Sequence, residues 1–145
     1  MRTCSSIILL ACVLCCAIGA GSAWAASHTN PAGNTETYVN RGDIGITDFI
    51  NYGTVEASGN GGGYGIFFAG ASTTFTNSGT VNASGDGALA GGIRFDGDYA
   101  TFTNTGTVNA TGSSGGYGIF FFGVDATFTN SGLLTLAGRG GLQLV

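Results

Sequence analysis

Lysine does not occur in these 145 residues, and charged residues of every kind make up 8% of them. Four arginines stand against eight acids, for a net charge of −4. A chain so poor in cations repels a polyphosphate, which excludes nucleic acid as a partner. Cysteine is confined to Cys4, Cys12, Cys15 and Cys16. Beyond residue 16, therefore, no disulfide, thiolate nucleophile or cysteine-bound metal is available. One histidine and one proline complete the scarcities. The stretch "TFTNSGTVNASGDGALAGGIRF" from Thr74 contains neither, yet a near copy, "TFTNTGTVNATGSSGGYGIFFF", begins at Thr101.

The apolar run from Ile7 to Ile18 follows a single positive charge at Arg2 and precedes small residues at Ala23 and Ala25. That order is the grammar of a secretory signal peptide over residues 1–25, cleaved after Ala25. A membrane-spanning helix needs about 20 apolar residues, and Gly19, Gly21 and Ser22 interrupt the run too early. "LLAC" at residues 9–12 resembles a lipoprotein cleavage site, but few apolar residues precede it. All four cysteines leave with the leader, as does Arg2, so the mature chain would carry three arginines and eight acids, a net charge of −5.

After a lead-in segment over residues 26–45, "FINYGTVEASG", "FTNSGTVNASG", "FTNTGTVNATG" and "FTNSGLLTLAG" start at Phe49, Phe75, Phe102 and Phe128, spacings of 26, 27 and 26 residues. A second apolar block recurs with them: "YGIFFAG" from Tyr64, "GGIRFDG" from Gly91 and "YGIFFFG" from Tyr117. Ile66, Ile93 and Ile119 each lie nine positions before the following Phe, so the extra residue falls in the glycine-rich stretch before Ile93. A turn absorbs an insertion, whereas a strand with one buried face does not, because a one-residue slip exchanges its faces.

Within the blocks the apolar period is two, with Phe75, Asn77, Val81 and Ala83 on one face and Thr74, Thr76, Thr80 and Asn82 on the other. This is strand patterning, rich in Thr, Val, Ile and Phe. A hairpin at Asn77-Ser78-Gly79 would suit a meander or propeller blade, but identical residues recurring about every 26 favour like stacked on like. The expected fold is all-β, a right-handed parallel β-helix of 26–27-residue coils over residues 46–145. Its inner columns are Phe49/Phe75/Phe102/Phe128, Val55/Val81/Val108/Leu134, Ile66/Ile93/Ile119 and Phe68/Phe95/Phe121, and Asn51, Asn77, Asn104 and Asn130 form an asparagine ladder.

These repeats resemble the parallel β-helix passenger regions of bacterial autotransporters, over roughly residues 46–145. The resemblance implies export across the inner membrane, then release or display at a Gram-negative cell surface. It implies contact with membranes only through export machinery or a carboxy-terminal barrel, which lies outside this sequence. In "GGLQLV", Leu142 and Leu144 take the places of Ile119 and Phe121, and the sequence then ends in mid-coil, the expectation being a fragment of a longer exported protein.

Nothing in the residues calls for a cofactor or a metal, and no nucleophile with a base is visible. Asp96 and Asp98 are the one close pair of acids, with Ala69/Ala71 and Phe122/Val124 at the equivalent positions, so a solvated turn outweighs a glycosidic acid pair. His28 lies outside the repeats and is expected to be a disordered terminal residue. Alternation places Phe67, Arg94 and Phe120 in one outward column, with Asp96 beside Arg94 and Phe122 adjoining. This is the expected exposed aromatic patch, and the candidate contact surface for an unknown surface ligand or a neighbouring chain. Arg41-Gly42-Asp43 resembles the integrin-recognition tripeptide and is a candidate adhesion motif. "NAS" at Asn82 and "NAT" at Asn109 match the glycosylation pattern, but they read here as strand residues. Thr74/Thr76, Thr101/Thr103 and Thr127/Thr129 form an outward array like the ice-binding face of some solenoids, broken by Asp48 and Ile50. The expected role is a non-enzymatic stalk or adhesin-like segment, secreted or at the cell surface. A piece of a polysaccharide-acting enzyme and an ice-binding solenoid are the alternatives.

Overall fold

The computed structural model describes residues 27–39, 46–60, 63–86, 91–113, 116–138 and 140–144. The expected leader, 1–25, and the Arg41-Gly42-Asp43 tripeptide lie outside them. Three strands make each coil. The first complete coil holds β3 (Asp48–Asn51), β4 (Thr54–Gly59) and β5 (Ile66–Phe68). The next has β6 (Thr74–Asn77), β7 (Thr80–Gly85) and β8 (Gly91–Phe95). Then follow β9 (Thr101–Asn104), β10 (Thr107–Gly112) and β11 (Tyr117–Phe121), and after them β12 (Thr127–Asn130), β13 (Leu133–Ala137) and β14 (Leu142–Leu144). Equivalent strands pair in parallel, so the chain is a parallel β-solenoid and not a hairpin meander. No described residue is helical.

The register is like on like. Phe49, Phe75, Phe102 and Phe128 are Cα partners in sequence, as are Val55, Val81, Val108 and Leu134. Gly59 pairs with Gly85 and Ile66 with Ile93, which confines the extra residue of that coil to the glycine-rich turn. Parallel strands sit about 4.8 Å apart, and the rings follow: Phe75 stacks on Phe102 at 4.7 Å and 4°, Phe95 on Phe121 at 4.7 Å and 5°. These side chains are fully buried, each removed from water with a gain of roughly 1.5–3 kcal/mol before entropy.

The asparagine ladder runs inside the first bend. Asn30 donates to Asn51, Asn51 to Asn77, Asn77 to Asn104 and Asn104 to Asn130, every bond 2.7 Å. The same amides also donate to backbone carbonyls, as Asn77 does to Thr107 O at 3.1 Å. The bend thus satisfies buried carbonyls that strand pairing leaves free. It closes so tightly that a Cβ on Gly79 would lie 2.0 Å from the Gly53 carbonyl oxygen, which makes glycine obligatory there.

Two expectations need correction. The lead-in segment expected over 26–45 is, from residue 27 to 39, another partial coil: β1 (Ser27–Asn30) pairs with β3 and β2 (Thr35–Val39) with β4. His28, expected to be disordered, occupies the position above Phe49, its ring 5.3 Å away. Polar residues at inward positions hid the coil. His28 Nε2 lies 2.9 and 3.0 Å from the Glu36 carboxylate oxygens, and the Tyr38 hydroxyl donates to Glu36 at 2.5 Å. Together they cover the first apolar layer with groups that satisfy one another.

Candidate functional site

The outward column of the third sheet is as alternation predicts: Phe67 pairs with Arg94 and Arg94 with Phe120. Four rings surround the guanidinium carbon, Tyr64 at 4.7 Å, Phe120 at 5.5 Å, Phe122 at 5.6 Å and Phe67 at 5.8 Å. Asp96 takes hydrogen bonds from Nε and, at 2.8 Å, from Nη2, while Nη1 donates to the Tyr64 hydroxyl. Burial works against the charge of Arg94, but the hydrogen bond and charge of Asp96, and then Tyr64, outweigh it and raise its pKa above the ordinary value.

The expected exposed patch is therefore corrected. The Arg94 side chain is only 14% exposed and Phe120 only 8%, because the rings cover the cation and each other. Phe122, adjoining the column, is 57% exposed and faces solvent. It shares the turn after β11 with the exposed Val124, at 54%, and the equivalent turn one coil earlier carries the exposed Tyr99, at 59%. The two turns are tied to each other: Tyr99 N–H donates to Val124 O at 2.9 Å, and Val124 N–H donates to the Asp98 carboxylate at 3.0 Å. Asp96 and Asp98, the close pair of acids, are thus engaged separately, one with Arg94 and one with a backbone amide. No protein-family model, curated protein or solved structure matches the chain.

Tyr64 and Tyr117 escaped the alternation argument. Tyr64 lies three residues before Phe67 and Tyr117 three before Phe120, separations that strand alternation assigns to opposite faces. Yet Tyr117 stacks on Phe120 at 4.8 Å and 12°, and Tyr64 lies 5.2 Å from Phe67. The intervening glycine explains it. A Cβ on Gly118 would lie 2.7 Å from the Ala110 carbonyl oxygen and one on Gly65 3.0 Å from the Ser84 backbone, so these glycines press their bare sides inward against the neighbouring sheet. The residue before each is turned out. In the middle coil "GGIRF" replaces "YGIFF", so Gly91 leaves the tyrosine position without a ring where the long Arg94 side chain spans to Tyr64.

The threonine array is in register on the first sheet, Thr74/Thr101/Thr127 and Thr76/Thr103/Thr129, with Asp48 and Ile50 in the preceding coil. Among the described residues, no group of three or more His, Cys, Asp or Glu is placed to hold a metal ion.

Proposed function

We propose that the chain is an exported, non-enzymatic β-solenoid segment, a stalk or adhesin-like surface of an autotransporter-type protein. The observation that carries this reading is the Tyr99, Phe122 and Val124 ridge. Three large apolar side chains stand in solvent on the turns of two successive coils, which backbone hydrogen bonds tie together. Exposed apolar side chains on turns bound to one another are what an interaction surface offers. Beneath it the Arg94 cluster acts as a clamp, holding Phe122 by ring and cation contacts without offering a free charge. The repeat grammar and the leader-like sequence of residues 1–25 support export and display; a surface ligand or a neighbouring chain is the partner class.

The experiment expresses the chain with its own leader in a Gram-negative host. Cleavage after Ala25 and recovery outside the cytoplasm are expected; retention in the cytoplasm with the leader intact would overturn the export reading. Double replacement of Phe122 and Val124 by Ser should abolish binding to host-cell or bacterial surfaces while leaving the thermal midpoint within a few degrees, because both side chains are already solvated.

A further inference from the structure

The solenoid carries a second amide ladder, on its outside. On the outward face of the sheet formed by β2, β4, β7, β10 and β13, Thr37, Glu56, Asn82, Asn109 and Thr135 are successive register partners. Asn109 donates to Asn82 at 2.8 Å, and Asn82 donates to the Glu56 carboxylate at 2.7 Å. Thr37, Glu56, Asn82 and Asn109 line a groove of about 370 Å³, with Ser58, Ser84 and Thr111 alongside. That volume falls within the roughly 300–1,000 Å³ of small-molecule sites.

The two ladders differ in what they leave unused. Inside, each Asn amide spends its donors on the next asparagine and on backbone carbonyls, and Asn30, Asn51, Asn77 and Asn104 are wholly buried. Outside, Asn82 gives one N–H to Glu56 and accepts one bond from Asn109, and Asn109 gives one N–H to Asn82. An amide has two donors and a carbonyl with two lone pairs. Among the described residues, Asn82 therefore keeps one donor and one acceptor, and Asn109 one donor and its carbonyl oxygen, all half-open to the groove. A donor and an acceptor side by side on one planar group match two adjacent hydroxyls, each of which both donates and accepts. Asn82 and Asn109 present that match in two successive coils, about 4.8 Å apart. Glu56 is the one ionisable group in the lining, and no cation is present to hold an anion; the alanines and hydroxyl side chains offer no large apolar surface.

We propose that this groove binds a neutral oligosaccharide lying along the solenoid axis, recognised by Asn82 and Asn109 with Glu56 accepting from a further hydroxyl. The site is distinct from the Arg94 cluster, and its binding does not depend on where the chain is delivered.

The test titrates the purified chain with maltohexaose, cellohexaose, mannohexaose and chitohexaose, following side-chain amide resonances by NMR. At least one neutral hexasaccharide should shift Asn82 and Asn109 while Asn77 and Asn104 stay fixed. Asn109→Ala should weaken that binding about fivefold, the loss of one neutral hydrogen bond, and Glu56→Gln should keep most of it, since the amide oxygen still accepts from Asn82. Arg94→Ala should leave it unchanged. Silence from all four sugars, shifts confined to other residues, or an equal response to anionic oligogalacturonate overturns the proposal. An unchanged thermal midpoint for Asn109→Ala verifies that the variant reports binding and not folding.

Discussion

Arg94 and Phe95 are consecutive residues of β8 and face opposite ways. Phe95 is wholly buried between Phe68 and Phe121, at 4.9 and 4.7 Å, in a column where three successive coils supply Phe and the next supplies Leu144. Arg94 lies in a column reading Phe, Arg, Phe, tied to Asp96 and covered by rings. Between the ends of a solenoid the inside leaves each position little choice, because a residue must match its own copies above and below. The outside allows a coil to depart, provided the departure finds partners. Recognition is accordingly to be sought in the departures.

Breaking the inner face should have the largest effect. Phe95→Ala removes two stacked ring contacts and leaves a cavity with no freedom to collapse between rigid coils, so it should cost about 3–5 kcal/mol in denaturant unfolding. A loss under 1 kcal/mol would mean that the ring columns do not carry the fold. Asn77→Ala comes next. It takes the side-chain acceptor from one Asn51 N–H, leaves the Asn104 carbonyl oxygen without its donor and removes the bond to Thr107 O. Buried groups left unpaired cost about 1–3 kcal/mol each, so a loss of about 2–3 kcal/mol is expected after local relaxation. The same replacement at Asn82, which water can reach, should cost well under 1 kcal/mol. Equal losses at the two asparagines would abolish the distinction between the ladders.

Arg94→Ala falls between these. An exposed cation over a ring is worth about 0.5–1 kcal/mol, and an exposed ion pair the same or less. The side chain is more enclosed than the sequence suggests, and its stem covers ring faces, so about 1–2 kcal/mol is expected by thermal melting. Arg94→Met, which keeps the packing and loses the charge, should recover part of that. A loss above that of Phe95→Ala would show the faces to be exchanged.

The strands, their register, the inner columns, the asparagine ladder and the outward Arg94 column were all legible in the sequence. They follow from a period of two inside a period of 26, and an in-register stack turns a one-dimensional repeat into contacts. Where a repeat unit changed its chemistry, legibility failed. His28, Glu36 and Tyr38 hold inward positions with polar groups, so β1 and β2 do not look like strands of the same coil although Asn30 continues the ladder. The burial of Phe120 failed to show for a different reason: Tyr117 reaches it only because Gly118 turns its bare side inward, and alternation has no rule for that. The outer ladder was visible as a column, but whether its amides were saturated is a matter of distances.

The smallest expected effect has the opposite sign. At the turn after the third sheet, Ser72, Tyr99 and Asp125 hold φ of 57°, 59° and 56°, a left-handed column repeated in three coils. Ser and Asp tolerate this conformation better than Tyr, whose bulky side chain costs about 1 kcal/mol or more there. Tyr99→Gly relieves that cost and gives back part of it as chain entropy in the unfolded state, for a net stabilisation of about 0.5 kcal/mol. The ring it removes is 59% exposed, so little burial is lost. A strained backbone carrying a solvated aromatic ring has no structural reason to persist, which fits a contact residue held at some expense in stability. The paired readout is therefore decisive for the ridge: Tyr99→Gly should raise the thermal midpoint by a few degrees and weaken surface binding. A variant that is more stable and binds as before would remove Tyr99 from the contact surface, leaving it to Phe122 and Val124.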